Sequence, residues 1–215
     1  MTNQIRPFDV AMTKLPLVAI LRGVTPAEVQ GVALALYEEG FRLIEVPLNS
    51  PAALESIARL VHCLPADAVV GAGTVMTSEA VQLVRDAGAR LIVMPHADTT
   101  VIDAAKSAGM YCVPGAATPT EIFGAVRAGA DAVKIFPAEL VVPAALKAMR
   151  AVVPRDIKLL PVGGVTPEGM GDYLRAGASG FGLGSALYAP GMTPDKVRER
   201  AQRFITAWSS LHAAP

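Results

Sequence analysis

At 215 residues and 22.3 kDa, the chain has the length of one domain. It is 52% hydrophobic and 18% charged, which suits a large buried core and excludes a disordered chain. Its 19 Lys+Arg offset 19 Asp+Glu, so the basic surplus that holds nucleic acid or an anionic membrane is absent.

Cys63 and Cys112 each sit in an apolar segment and do not form a disulfide framework. The first apolar stretch, Pro16–Leu21, is too short for a secretory core and follows Asp9 and Lys14. No run approaches the roughly 18 apolar residues of a membrane span. The expectation is a soluble, cytoplasmic protein with residues 1–215 as a single domain.

Short apolar runs recur along the chain at Pro16–Leu21, Leu43–Val46, Ala68–Ala72, Leu91–Met94, Tyr111–Val113, Ala132–Phe136, Ile157–Val162 and Gly180–Leu183. Ala-rich helical stretches separate them, the alternation expected of a parallel sheet covered by helices. Thr25-Pro26, Ser50-Pro51, Thr118-Pro119, Thr166-Pro167 and Thr193-Pro194 each offer a capping hydroxyl before a proline at the first helical position. Thr25 with Glu28 and Thr118 with Glu121 spell capping boxes. Glycines at 40, 88, 109, 129 and 177 close the helices, several in an Ala-Gly-Ala motif. Eight β/α units of about 20 to 30 residues predict a compact α/β fold, a (β/α)8 TIM barrel, in preference to an open doubly wound sheet.

In such a barrel alternate strand residues face the interior, and chemistry gathers at the carboxyl ends of the strands. Three charged residues stand out there. Lys134 alternates with Val133 and Ile135 and so shares the inner face with Ala132 and Phe136. An ammonium there is costly, which favours the neutral amine that attacks a carbonyl; the competing reading is a structural ion pair. Glu45, near the end of the second strand, faces inward as an acid/base candidate or as a partner for Lys134. Arg22 ends the first strand and is placed to fork onto a substrate carboxylate, unless it only neutralises a neighbour.

Glycine-rich turns follow the seventh and eighth strands: Gly163-Gly164 and Gly182-Leu183-Gly184-Ser185. Loops at those positions of a barrel commonly hold phosphate, although Gly-Gly also makes an ordinary tight turn. Thr74 either touches substrate or caps the next helix. Pro95 and Pro114 end the fourth and fifth strands as candidate pocket walls. His62, His96 and His212 lack metal-ligand spacing, so no metal is expected; His96 reads as a loop histidine.

Five segments together resemble one family: Val18–Gly23, Ile44–Pro51, Gly71–Val75, Val133–Glu139 and Pro161–Val165. They are similar to the 2-keto-3-deoxy-6-phosphogluconate/phosphogalactonate aldolases, in order, from about Leu15 to Tyr188. The resemblance implies a class I aldolase on a TIM barrel, a homotrimer, without cofactor or metal. It implies Lys134 as the Schiff-base lysine and Glu45 as the general acid/base. Arg22, Thr74 and Pro95 then bind the keto-acid end, Phe136 and Val162 also contact substrate, and Gly163, Gly164, Gly184 and Ser185 bind the phosphate.

Gluconate enzymes of the family carry Glu-Val-Thr-Leu-Arg-Thr and Thr-Gly-Gly-Ile where this chain has Glu45–Ser50 and Val162–Val165. That text is similar to the galactonate branch. The implied reaction is cleavage of the phosphorylated keto-deoxy sugar acid 2-dehydro-3-deoxy-6-phospho-D-galactonate to pyruvate and D-glyceraldehyde 3-phosphate. The gluconate epimer or dual activity, a phosphosugar isomerase or epimerase, and a non-catalytic phosphosugar binder are the alternatives.

Overall fold

A computed structural model describes residues 6–212. The elements in chain order are α1 (Pro7–Lys14), β1 (Leu17–Ile20), α2 (Val29–Glu38), β2 (Leu43–Pro47), α3 (Ala53–Cys63), β3 (Val69–Gly73), α4 (Ser78–Asp86), β4 (Leu91–Val93), α5 (Thr99–Ser107) and β5 (Tyr111–Val113). There follow β6 (Gly115–Ala116), α6 (Pro119–Arg127), β7 (Val133–Ile135), α7 (Pro143–Arg150), β8 (Leu159–Pro161), α8 (Met170–Arg175), β9 (Phe181–Leu183) and α9 (Pro194–His212). No helix among the described residues is long and apolar enough to cross a membrane.

Every strand pairing is parallel. Six strands form one curled sheet in the order β5-β4-β3-β2-β1-β9, and three form another in the order β6-β7-β8. Each apolar run read from the sequence contains a strand, but the fifth is split. Pro114 has no N–H to offer a ladder, so Tyr111–Val113 pairs with β4 while Gly115–Ala116 pairs with β7. The sheets approach one another on both sides. A parallel bridge joins Val162 to Gly182, and Asp131 N–H donates to the Cys112 carbonyl at 2.9 Å.

Alternation divides the core in two. Leu17, Ala19, Leu21, Ile44, Val46, Val133 and Ile135 pack under the helices. Val18, Leu43, Val69, Leu91, Val93, Val113, Ala132 and Leu160 form a separate interior cluster. Helix α1 completes that second cluster with Phe8, Ala11 and Met12, and Phe8 stacks on Tyr111 with ring centroids 5.1 Å apart. Its partners Leu43, Val69 and Leu91 are the first residues of their strands, so α1 fills the amino-terminal end of the interior. Ion pairs hold it there: Arg6 to Asp131 at 2.5 Å, and Asp9 to Lys158 at 3.3 Å.

Helix stops follow the repeated glycine motif. At Gly40 (φ 101°) the chain turns left-handed and Phe41 N–H returns to the Leu36 carbonyl. The same bond recurs from Ala89, Met110, Ala130 and Ala178. The helix starts match the sequence only in part. Thr118 and Glu121 make a full capping box, and Pro119 and Pro194 each open a helix. At Thr25 half the box forms: the Glu28 carboxylate accepts from the Thr25 N–H and hydroxyl, and α2 begins only at Val29. The Ser50 hydroxyl caps nothing in its own helix and accepts from Gly23 N–H at 2.9 Å. Thr166 accepts from Gly169 N–H in a turn that precedes α8. In each case a nearer or cross-strand partner competes for the side chain. On the last helix Phe204 is buried, and Trp208 meets Phe181 edge-on.

Candidate active site

Lys134 is the central residue of β7, with Gly115 and Leu160 as its neighbours in register. Its side chain points inward, is only 5% exposed, and carries Nζ 4.3 Å above the Phe136 ring. Burial lowers its pKa, the nearby Glu45 charge opposes that shift, and the Arg22 charge adds to it. An aromatic face steadies the ammonium without supplying an acceptor, so the cost of burial stays largely uncompensated.

Glu45 comes from β2, in register with Ile20 on one side and Gly71 on the other. It is 1% exposed, and its Oε2 has no hydrogen-bond partner. Burial pushes its pKa up to about 7, against the pull of Lys134 and Arg22. Among the described residues no ion pair within 4 Å joins it to Lys134 or Arg22, so the two charges interact across a gap. An unpaired buried carboxylate near pH 7 is poised to exchange protons.

The room for that carboxylate comes from Gly73 at the end of β3. A Cβ built there would stand 2.0 Å from Glu45 Oε2. The intruding atom is the tip of a flexible side chain, so Gly73→Ala is expected to fold normally while displacing the carboxylate. Turnover should fall about 10- to 100-fold, because a catalytic group shifted by roughly an ångström costs that much. Steady-state kinetics beside a thermal melt checks this; unchanged kcat would mean that the position of Glu45 is immaterial.

Arg22 follows β1 at the open end. Its guanidinium donates to Asn49 Oδ1 at 2.6 Å and, over a longer 3.4 Å, to Thr74 Oγ1. Thr74 does not cap the following helix, because Thr77 does so by accepting from Ala80 N–H. Thr74 adopts φ 55°, a region that a β-branched residue enters only under constraint.

Above Lys134 opens a cavity of about 370 Å³. Arg22, Lys134, Phe136 and Val162 line it, together with Gly163, Gly164, Gly184 and Ser185. A small extension beneath is lined by Glu45, Lys134, Val162 and Gly182. Nine of the residues singled out in the sequence therefore gather around one space, and Thr74 reaches it through Arg22. Pro95 does not line it: the Pro95 backbone lies close against β6, 2.5 Å from where a Gly115 Cβ would be. Pro114 does not line it either; its carbonyl accepts from Lys134 N–H at 2.8 Å. His96 is half-buried rather than a solvated loop residue, and its Nδ1 is buried without a partner.

Three participants escaped the sequence reading. Asn49 orients Arg22, Gly73 makes space for Glu45, and Glu139 lines the cavity. Asn49 and Glu139 each stand shortly after a strand that carries a charged residue, a position that would have flagged them. Among the described residues, no three of His, Cys, Asp and Glu gather as metal ligands.

Residues 8–200 match the family described as KDPG and KHG aldolase. The chain is 45% identical over 197 residues to a probable 2-dehydro-3-deoxy-6-phosphogalactonate aldolase of Rhizobium meliloti (strain 1021), covering 92% of this chain and 93% of that one. It is 44% identical to the 2-dehydro-3-deoxy-6-phosphogalactonate aldolase of Escherichia coli (strain K12), over 91% of this chain and 96% of the other. A solved structure titled as native KDPGal superposes with a TM-score of 0.91 at 43% identity, covering 94% and 98% of the two chains. The chain belongs to the KDPG and KHG aldolase family, and is a carbon–carbon lyase.

Proposed function

We propose that the protein cleaves 2-dehydro-3-deoxy-6-phospho-D-galactonate to pyruvate and D-glyceraldehyde 3-phosphate through a Schiff base on Lys134. The observation that carries this reading is a buried amine with a lowered pKa beside an unpaired buried carboxylate at the floor of the cavity. The galactonate configuration is supported by relatives at 44–45% identity that bear that name. Val162, which lines the cavity beside Lys134, offers no hydroxyl to the substrate carbons, as in the galactonate branch.

The neutral Lys134 amine adds to the C2 ketone, and loss of water leaves an iminium. Glu45 protonates the departing hydroxyl and then, as carboxylate, takes the proton of the C4 hydroxyl. The C3–C4 bond breaks, its electrons flow to the iminium, and an enamine of pyruvate remains while the phosphorylated aldehyde leaves. Protonation of the enamine at C3 and hydrolysis release pyruvate and the free amine. Arg22, fixed by Asn49 and Thr74, anchors the substrate carboxylate, with Phe136 and Val162 as apolar walls. The turns Gly163-Gly164 and Gly184-Ser185 take the phosphate, a remote handle whose binding energy serves the reacting carbons.

For the architecture, we take the two sheets as one closed barrel of eight β/α units, with β5 and β6 as a single strand interrupted at Pro114. The bridge from Val162 to Gly182 and the Asp131–Cys112 hydrogen bond support closure. A homotrimer and a cytoplasmic location follow from the family resemblance.

Borohydride reduction in the presence of pyruvate tests the mechanism. A covalent adduct on Lys134 is expected; an adduct on another lysine, or none, overturns it. For the substrate, kcat/KM is expected to favour the galactonate over its C4 epimer. A lost polar contact shifts such a preference by about 1–3 kcal/mol, and a strong gluconate preference would reverse the assignment.

A further inference from the structure

Among the described residues Glu139 is the only acidic side chain lining the upper cavity, and it lies against the Gly163-Gly164 turn. A Cβ built on Gly163 would stand 2.1 Å from Glu139 Oε2, and one on Gly164 would stand 3.1 Å from its Cγ. Both glycines have positive φ, 112° and 61°, so this backbone is open to close approach on the side that the carboxylate now covers.

The backbone that delivers Glu139 is fixed. Ala138 N–H donates to the Val162 carbonyl at 2.9 Å, and the Tyr173 hydroxyl donates to the Ala138 carbonyl at 2.7 Å. The side chain itself is exposed and, among the described residues, makes neither an ion pair nor a hydrogen bond. No cationic partner explains its position. A carboxylate held this way is a resident negative charge at the end of the cavity where a doubly charged ligand group has to settle.

We propose that Glu139 is a displaceable anion on the Gly163-Gly164 turn, which turns outward when a phosphorylated ligand binds and keeps the turn from being filled by free inorganic phosphate. The inference rests on the assignment of that turn to the phosphate. A sugar acid whose carboxylate is anchored at Arg22 has a second attachment with which to displace Glu139. Inorganic phosphate has none, and meets like-charge repulsion at an otherwise well-formed site. Glu139 lies beyond β7, off the strands that carry Lys134 and Glu45, and acts on ligand affinity rather than on the chemical step.

The test is binding of inorganic phosphate to the full chain by calorimetry at low ionic strength, comparing the native protein with Glu139→Gln. Removing the charge while keeping the shape is expected to tighten phosphate binding about three- to tenfold, an effect that fades with added salt. KM for the phosphorylated substrate should fall alongside, whereas KM for its unphosphorylated counterpart should stay put. Glu139→Ala, which cannot preserve any hydrogen bond, should move phosphate affinity in the same direction. Equal or weaker phosphate binding in both variants overturns the proposal, as does absence of phosphate binding by all three proteins. Pyruvate trapping on the native chain separates the two ideas: labelled Lys134 with unchanged phosphate affinity condemns only the role of Glu139, whereas unlabelled Lys134 condemns the Schiff-base reading.

Discussion

Lys134→Met is expected to lower kcat for retro-aldol cleavage on the order of 10⁴-fold or more, because the covalent route disappears with the amine. Methionine keeps the length and apolar character of the stem and removes a group that is only 5% exposed and costly to bury. Thermal stability should therefore hold or rise, which separates lost chemistry from lost fold. Lys134→Arg is the sharper companion. A guanidinium stays charged and condenses with no ketone, so an aldolase of this kind falls silent. An isomerase that needs only a positive charge at this position would keep part of its rate. Persistent cleavage by either variant would remove Lys134 from the mechanism.

Glu45→Gln should lower kcat by about 10²- to 10⁴-fold, the usual worth of a positioned acid/base group. It should also erase a limb of the pH profile. The Glu45 pKa stands at about 7, so native kcat/KM is expected to fall as pH rises through that value, where Glu45 loses the proton it must first deliver to the departing hydroxyl. The effect on stability has the same sense. Between the ordinary 4.5 and about 7, the unfolded chain releases a proton that the folded chain retains, so stability falls as pH rises through that window. The penalty is complete above pH 7 and reaches about 3 kcal/mol at most. Glu45→Gln removes it, so the variant should melt higher than the native protein at pH 8, with the advantage gone below pH 4.5. Denaturant titrations at the two pH values check this, and equal differences at both would contradict the burial argument.

Both expectations were open to a reader of the sequence, because strand alternation is a local property. Ala132, Lys134 and Phe136 face one way and Val133 and Ile135 the other, as period two requires. Glu45 opposite Ile44 and Val46 follows the same rule. What stayed hidden depends on approach between distant segments. Gly73 looks like any strand-end glycine until Glu45 is laid over it. The Ser50 hydroxyl, written as a cap, finds Gly23 N–H 27 residues away, and Arg6 finds Asp131 across 125 residues. Helix α1 is only eight residues long, so nothing local announces that it packs against the first residues of three strands.

Helix α1 gives the chamber a single doorway. With Phe8 and Met12 blocking one end, a ligand enters and its fragments exit past the same glycine turns. Depth then dictates the sequence of departure: the aldehyde, lying nearer the threshold, vacates first, and the three-carbon remnant tethered at the bottom follows. Pyruvate is then expected as the competitive product and the aldehyde as the noncompetitive one, an ordering set by the proposed covalent tether and matched by the stopper at the far end.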